Sequence, residues 1–317
     1  MSRFDQVDYS RLPFPDAIET WTHQAILDAR MQIYLAEWEA AREIDPSLPA
    51  YDVQMMETDP AKRLQRIDAY REGLIRQRIN EAVRATYLSK ADQWNDVVAR
   101  AAEYLTTPAA GETIDSLRQR AQLAWENLSI GGSYGGYQYQ ALSVAPVDIA
   151  DVAVWGYEVH EASLFGVKAI ADFPKGEVRI GLLGAARGGL TPPSIIAAVQ
   201  ARLSDRAVRK VNDKINVVQA TIAPYTLDAR LVLKRGVSAA SAADVVAAGK
   251  LRASAYAAAV RVQGVRATRG GFEAALMGAD PALVADVELF SPAASVGGGP
   301  FEAPVMTGLA LDWTAAP

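Results

Sequence analysis

Of the side chains that most often bind metals or carry protons, this sequence offers two histidines, His23 and His160, and no cysteine. Glu158 and Glu161 flank His160, and two carboxylates with one imidazole form a ligand set that a divalent metal accepts. Neighbours at that spacing on a strand or loop do not converge unaided, so an exposed polar hairpin explains them equally. His23 falls in a helical pattern with no second His or Cys near it. A serine nucleophile would have to recruit one of these two imidazoles, and neither Ser163 nor any other serine stands in a Gly-x-Ser-x-Gly turn. The 37 Asp and Glu residues are too many to single out an acid–base pair. No catalytic centre, metal site or cofactor is expected.

Two glycine-rich stretches raise phosphate binding. Gly176 to Pro193 reads as a strand running into a helix through a glycine turn, but it lacks both G-x-G-x-x-G and G-x-x-x-x-G-K-[ST]. Two prolines also open its helix where amides would have to face the ligand. The cluster Gly131, Gly132, Gly135 and Gly136 lacks a lysine and reads as a turn. Tyr134, Tyr137 and Tyr139 interleave with glutamines and have rings that could stack on bases, yet no basic groove accompanies them. The expectation is no small-molecule substrate and no direct nucleic-acid contact.

Composition agrees. The net charge is −5 and the basic residues form no tail, while half of the 317 residues are apolar, enough for a substantial core and two or three domains. The start has no basic segment followed by an apolar run, and no apolar span approaches ~20 residues. The sequence is therefore read as soluble, unsecreted and without a membrane partner.

The elements follow from punctuation and period. Val7 to Asp16, with Pro13 and Pro15, should run as an extended arm. Helical spacing begins near Thr20, with Thr20 or Thr22 as cap, and ends at Asp45-Pro46. A second helix starts after Asp59-Pro60, with Asp59 as cap and Pro60 in the first position, and a third spans Trp94 to Leu105. After a linker at Thr106 to Gly111, a helix from Ile114 to Trp125 precedes the glycine cluster. Ser133 to Val144 is expected as a helix and Val147 to Val154 as a strand. Ala275 to Leu289 echoes Ala141 to Val154, repeating Ala-Leu, a proline and Ile/Val-Ala-Asp-Val, so a helix–proline–strand unit is expected twice. Between them lie a strand at Glu177 to Leu183 and a helix at Pro192 to Leu203 capped by Thr191. Strands Ile215 to Ile222 and Tyr225 to Leu233 follow, open to antiparallel pairing across Ala223-Pro224. An alanine-rich helix from Ala239 to Val262, a Gly/Pro loop from Ser291 to Pro304 and a closing strand from Met306 to Trp313 complete the chain. The predicted class is α+β: an arm and helical, bundle-forming domain over 1–105, a first α/β domain over 106–190 and a second over 191–317.

One helical stretch, Ala69 to Leu88, breaks the usual pattern. At about 100° per residue it gathers Tyr70, Leu74, Ile75, Ile79 and Ala82 on one broad side. Arg71 and Arg78, one heptad apart, fall inside that apolar arc, while Arg76, Asn80 and Arg84 lie opposite. Arginines set among apolar residues suit a contact between chains, where guanidinium groups pair at partly buried positions. The same pattern also fits arginine stems laid along the edge of the chain's own core.

The order of several blocks resembles the J-like baseplate assembly proteins of contractile phage tails. The blocks are Leu12-Pro13 with Pro15-Asp16, Y-R-E-x-x-x-R-Q-R-I-N-E-A (Tyr70 to Ala82), N-D-V-V-A-R-A-A-E-Y (Asn95 to Tyr104) and S-L-R-Q-R (Ser116 to Arg120). They continue with Y-Q-Y-Q-A-L-S (Tyr137 to Ser143), the run Leu203 to Ile222 and V-A-D-V-E-L-F-S-P (Val284 to Pro292). The resemblance implies a structural wedge subunit without an active site, found in the virion tail baseplate and in the host cytoplasm during assembly. It further implies pairing with copies of itself, contact with other wedge proteins through a helical bundle, and links to the central hub and spike and to tail-fibre attachment proteins. On this basis Tyr70, Arg71, Leu74, Arg76, Arg78, Asn80 and Arg84 become interface candidates. Trp155 to Pro174 exceeds the expected crossover, so an inserted hairpin bearing Trp155, Tyr157 and Phe165 is expected to make a further contact. The alternatives are a soluble enzyme with a site between the two α/β domains, and a nucleic-acid scaffold using the basic Lys62 to Arg84 helix.

Overall fold

The computed structural model describes residues 12–53, 56–128, 132–157 and 173–316. They fall into two compact units, one within Val7–Thr107 and one within Pro108–Pro317. The class is α+β.

The first unit is helical. Helix α1 (His23–Ile44) starts where the Thr22 side chain accepts the Ala25 amide, and α2 (Pro60–Ala85) starts where Asp59 accepts the Ala61 and Lys62 amides. Contacts of Glu19 with Asn80, Trp21 with Gly73, and Arg30 with Gln65 run in opposite directions along the two helices, so they form an antiparallel hairpin. Tyr34, Trp38 and Tyr51 cluster at its far end, Tyr34 stacked on Trp38 and edge-on to Tyr51, and the Trp38 indole donates to Pro49 O. Helix α3 (Trp94–Glu103) buries Val97 and Ala101.

The second unit opens with α4 (Ile114–Asn127) and α5 (Tyr134–Val144), the latter capped by Ser133. Buried between α4 and α5, the Arg120 guanidinium donates to both oxygens of Glu112, at 2.7 and 2.8 Å. Strands β1 (Ile149–Trp155), β2 (Glu177–Gly184) and β3 (Lys214–Gln219) form a sheet in that order, with β1 antiparallel and β3 parallel to β2. Helix α6 (Pro193–Ser204) makes the crossover to β3, burying Val199 and Leu203 against Leu182, Val152 and Tyr137. Its cap position is Pro192 rather than Thr191, whose hydroxyl instead donates to Leu182 O. The expected division after residue 190 thus runs through a β–α–β unit of one sheet.

The next strands correct the sequence reading. The Ala220 amide donates to Leu182 O and ends the first sheet, whereas the Thr221 amide donates to Phe301 O and begins the second. Strand β4 (Thr221–Leu233) therefore never pairs with β3. It is the centre of a sheet ordered β6-β4-β8, with β6 (Val284–Ser291) antiparallel and β8 (Glu302–Ala315) parallel to it. Pro224 fits inside β4 because β6 pairs only from Asp228 onward, so at residue 224 the strand has one neighbour and the missing N–H leaves no gap in the ladder. Helices α7 (Ala239–Ala259) and α8 (Arg269–Met277) cover one face, and β5 (Arg266–Ala267) pairs with β7 (Val296–Gly297) beside them. The sequence echo is real at the level of the helix–proline–strand unit. Both α5–β1 and α8–β6 deliver an antiparallel edge strand, but β1 precedes its central strand and β6 follows its own.

Polar side chains join the two sheets. Asp151 on β1 accepts the Gln263 amide and side-chain NH2, at 2.9 and 3.1 Å. Burial pushes the Asp151 carboxyl above its usual range despite these bonds. Arg261 donates to the carbonyls of Gly184, Ala185 and Ala186, so the glycine turn after β2 is a backbone loop closed by Gly184 N–H to Gly189 O and held from outside by an arginine.

Candidate assembly interface

Helix α2 turns its large apolar residues outward. The side facing α1 is small and polar: Ala69 is fully buried, and the Trp21 ring lies so close over Gly73 that an added Cβ would stand 2.8 Å from it. Around this contact run charged links. Arg30 donates to Gln65, Asp68 and Glu72. Arg76 donates to Glu72 and Glu19, while Asn80 donates to Glu19 O and accepts the Glu19 amide. Bonds from Arg76 and then Arg30 hold the Glu72 carboxyl below its usual value.

The arm lies on the same side. Phe14 is held between two cations, with Arg84 at 5.2 Å and Lys90 at 4.5 Å from the ring centre, and Lys90 also donates to Leu12 O. Of the residues expected as contacts to other chains, Arg76 and Asn80 are bonded to Glu19, between the arm and α1, and Arg84 lies against Phe14 of the arm.

The apolar arc faces solvent. Tyr70, Leu74 and Ile79 are exposed, and Ile75 is 62% exposed. Two residues that the sequence reading passed over, Leu64 and Ile67, extend the stripe by two turns. They continue the same three- and four-residue spacing toward the N-terminus, which a longer window would have caught. Arg71 is exposed with no ion pair among the described residues. Arg78 is 83% exposed and only 3.6 Å from Glu81. Neither lies along a core edge. Six apolar side chains in one exposed stripe exceed the scattered singles normal on a protein surface.

Of the second expected contact, the described residues pack partly against the chain's own core. Trp155 is the last residue of β1, opposite Arg179, and its indole donates to Pro300 O at 3.2 Å. Tyr157 packs with it against Phe173 and Phe301. Phe165 and His160, with Glu158 and Glu161, lie outside the described residues.

No three His, Asp or Glu side chains converge as metal ligands among the described residues, and no described helix is long and apolar enough to cross a membrane. His23 meets Arg66 O at 3.3 Å. A polar hollow of about 120 Å³ is lined by Glu126, Ser133, Gly136, Gln140 and Lys210. Beside it the Tyr137 hydroxyl donates to Asp213, and burial with this bond raises the phenol well above its usual value.

Comparison with known proteins bears on the same helix. Residues 57–108, which contain all of α2 and α3, match the model of the baseplate J-like N-terminal domain. Over 245 residues the sequence is 30% identical to baseplate protein J of Escherichia phage P2, a match spanning 73% of this chain and 74% of that relative. With its outward apolar helix inside the matched domain and the likeness running through most of both chains, this protein belongs to the baseplate J-like family of phage tail structural proteins.

Proposed function

We propose that this protein is a wedge subunit of a contractile tail baseplate. It pairs with a second copy in each wedge, binds neighbouring wedge proteins through α2, and links wedges into a ring around the central hub and spike. Tail-fibre attachment proteins join at its periphery. It assembles in the host cytoplasm, carries no cofactor and acts on no substrate. Rearrangement on contraction requires contacts that are numerous and individually moderate.

The observation that carries this reading is the exposed stripe from Leu64 to Ile79, inside the domain that matches the baseplate family. A lone chain gains nothing by exposing it, whereas an assembly covers it. Co-expression with the other tail genes of the same phage, followed by affinity purification, tests it. The chain should be recovered with other baseplate proteins, and recovery as a lone monomer overturns the assignment.

A further inference from the structure

We infer that the outward face of α2 receives an acidic amphipathic helix of a different polypeptide and rejects α2 of a second copy. The inference rests on the baseplate reading and names the chemistry of one partner. Arg71 and Arg78 are one heptad apart, hence about 10.5 Å along the axis and within about 20° of each other around it. Ile67, Leu74, Ile75 and Ile79 surround them, all exposed. Any helix laid in this stripe covers both guanidinium groups, and a cation taken out of water needs a carboxylate opposite it.

A second copy of α2 does not supply one. In a parallel, in-register pair Arg71 meets its own counterpart, and so does Arg78. In an antiparallel pair centred between Leu74 and Ile75, Arg71 meets Arg78 of the other chain. Sliding either pair by a turn or a heptad sets at least one arginine against an apolar residue, burying a cation without a partner. The carboxylates of α2 are Asp68, Glu72 and Glu81, none of them in the centre of the stripe. Asp68 and Glu72 are bonded to Arg30, and Glu81 sits beside Arg78 at the margin. The helix that fits carries two carboxylates one heptad apart within an apolar stripe. Copies of this protein that pair within a wedge use another surface.

The test uses the full chain and two synthetic helical peptides of about three heptads. Both carry a leucine stripe, and they differ only in having two glutamates or two lysines seven residues apart in that stripe. The wild-type chain should bind the glutamate peptide about tenfold or more tightly than the lysine peptide, and Arg71→Glu/Arg78→Glu should invert the order. Equal binding of the two peptides by the wild type, or binding of neither, overturns the inference; this contrast decides even if the double variant fails to fold. In co-expression with the tail proteins, the double variant should lose its partners. If wild type and variant are recovered equally well with those proteins, the inference fails while the baseplate reading stands. If the wild type is recovered with none, the baseplate reading itself fails.

Discussion

Helices α7 and α2 solve the same problem in opposite ways. Along α7 the buried positions Ala242, Val245, Gly249, Ala253 and Ala257 recur every three or four residues and rest on the β6-β4-β8 sheet. Its own chain completes it. Along α2 the buried positions are Ala69 and Gly73, bordered by ion pairs, and the large apolar residues point away. The C-terminal sheet also guards its edges. On β6 and β8 an aspartate accepts the next residue's amide, Asp286 from Val287 and Asp312 from Trp313, which withdraws those groups from pairing with an added strand. One region covers its own apolar side chains, and the other leaves them exposed.

The comparison can be broken most severely in the α/β unit. Leu231 is fully buried at the centre of the second sheet, so Leu231→Ala should cost about 2–5 kcal/mol in urea unfolding. A loss no larger than that of a surface substitution would mean the core lies elsewhere.

Next comes the buried Glu112–Arg120 pair, where Glu112→Gln leaves a cation uncompensated and should cost about 3 kcal/mol. Burial acts to raise the Glu112 carboxyl, but bonds from Arg120 and the Ala109 amide outweigh it and hold the group below its usual value. A carboxyl lowered by folding contributes its full stability above the unfolded pKa, about 4.3, and loses it as pH falls through the folded pKa. Denaturation series from neutral to acid pH should therefore show the wild type losing its advantage over Glu112→Gln on the acid side. A constant gap would contradict the pairing.

In the helical unit, Gly73→Leu drives a side chain into the Trp21 ring and should destabilise the α1–α2 hairpin by about 1–3 kcal/mol, read by circular dichroism on heating.

The smallest effects on folding should come from the outward face. Arg78→Ala and Leu74→Ser should change the stability of the isolated chain by about 0.5 kcal/mol or less, yet reduce recovery with baseplate partners. If Arg78→Ala lowers the melting temperature as much as it weakens assembly, the arginine belongs to the chain's own fold.

These contrasts also separate what the residues announced from what they did not. Asp59-Pro60, Thr22 and Ser133 are local signals that stand at helix starts in the structure, and Asp45-Pro46 follows the end of α1. The ion pairs that turn α2 around join Arg30 and Glu19 to residues more than thirty positions away, and no local period carries them. By period alone the apolar arc belonged inside. The unusual placement of Arg71 and Arg78 was the visible sign that it did not. The transfer from one sheet to the next at Ala220 was hidden for a similar reason: Ile215 to Ile222 reads as one strand, and only the partners Leu182 and Phe301 divide it.

Because the natural chain has no cysteine, Ile75→Cys introduces a unique thiol at the middle of the α2 stripe. Its rate of reaction with a maleimide, measured in the free chain and in purified baseplates, tests the central claim directly. The thiol should react freely in the isolated chain and be strongly protected in the assembled baseplate. Equal reactivity in both would show that the outward face of α2 is not where the protein meets its partners.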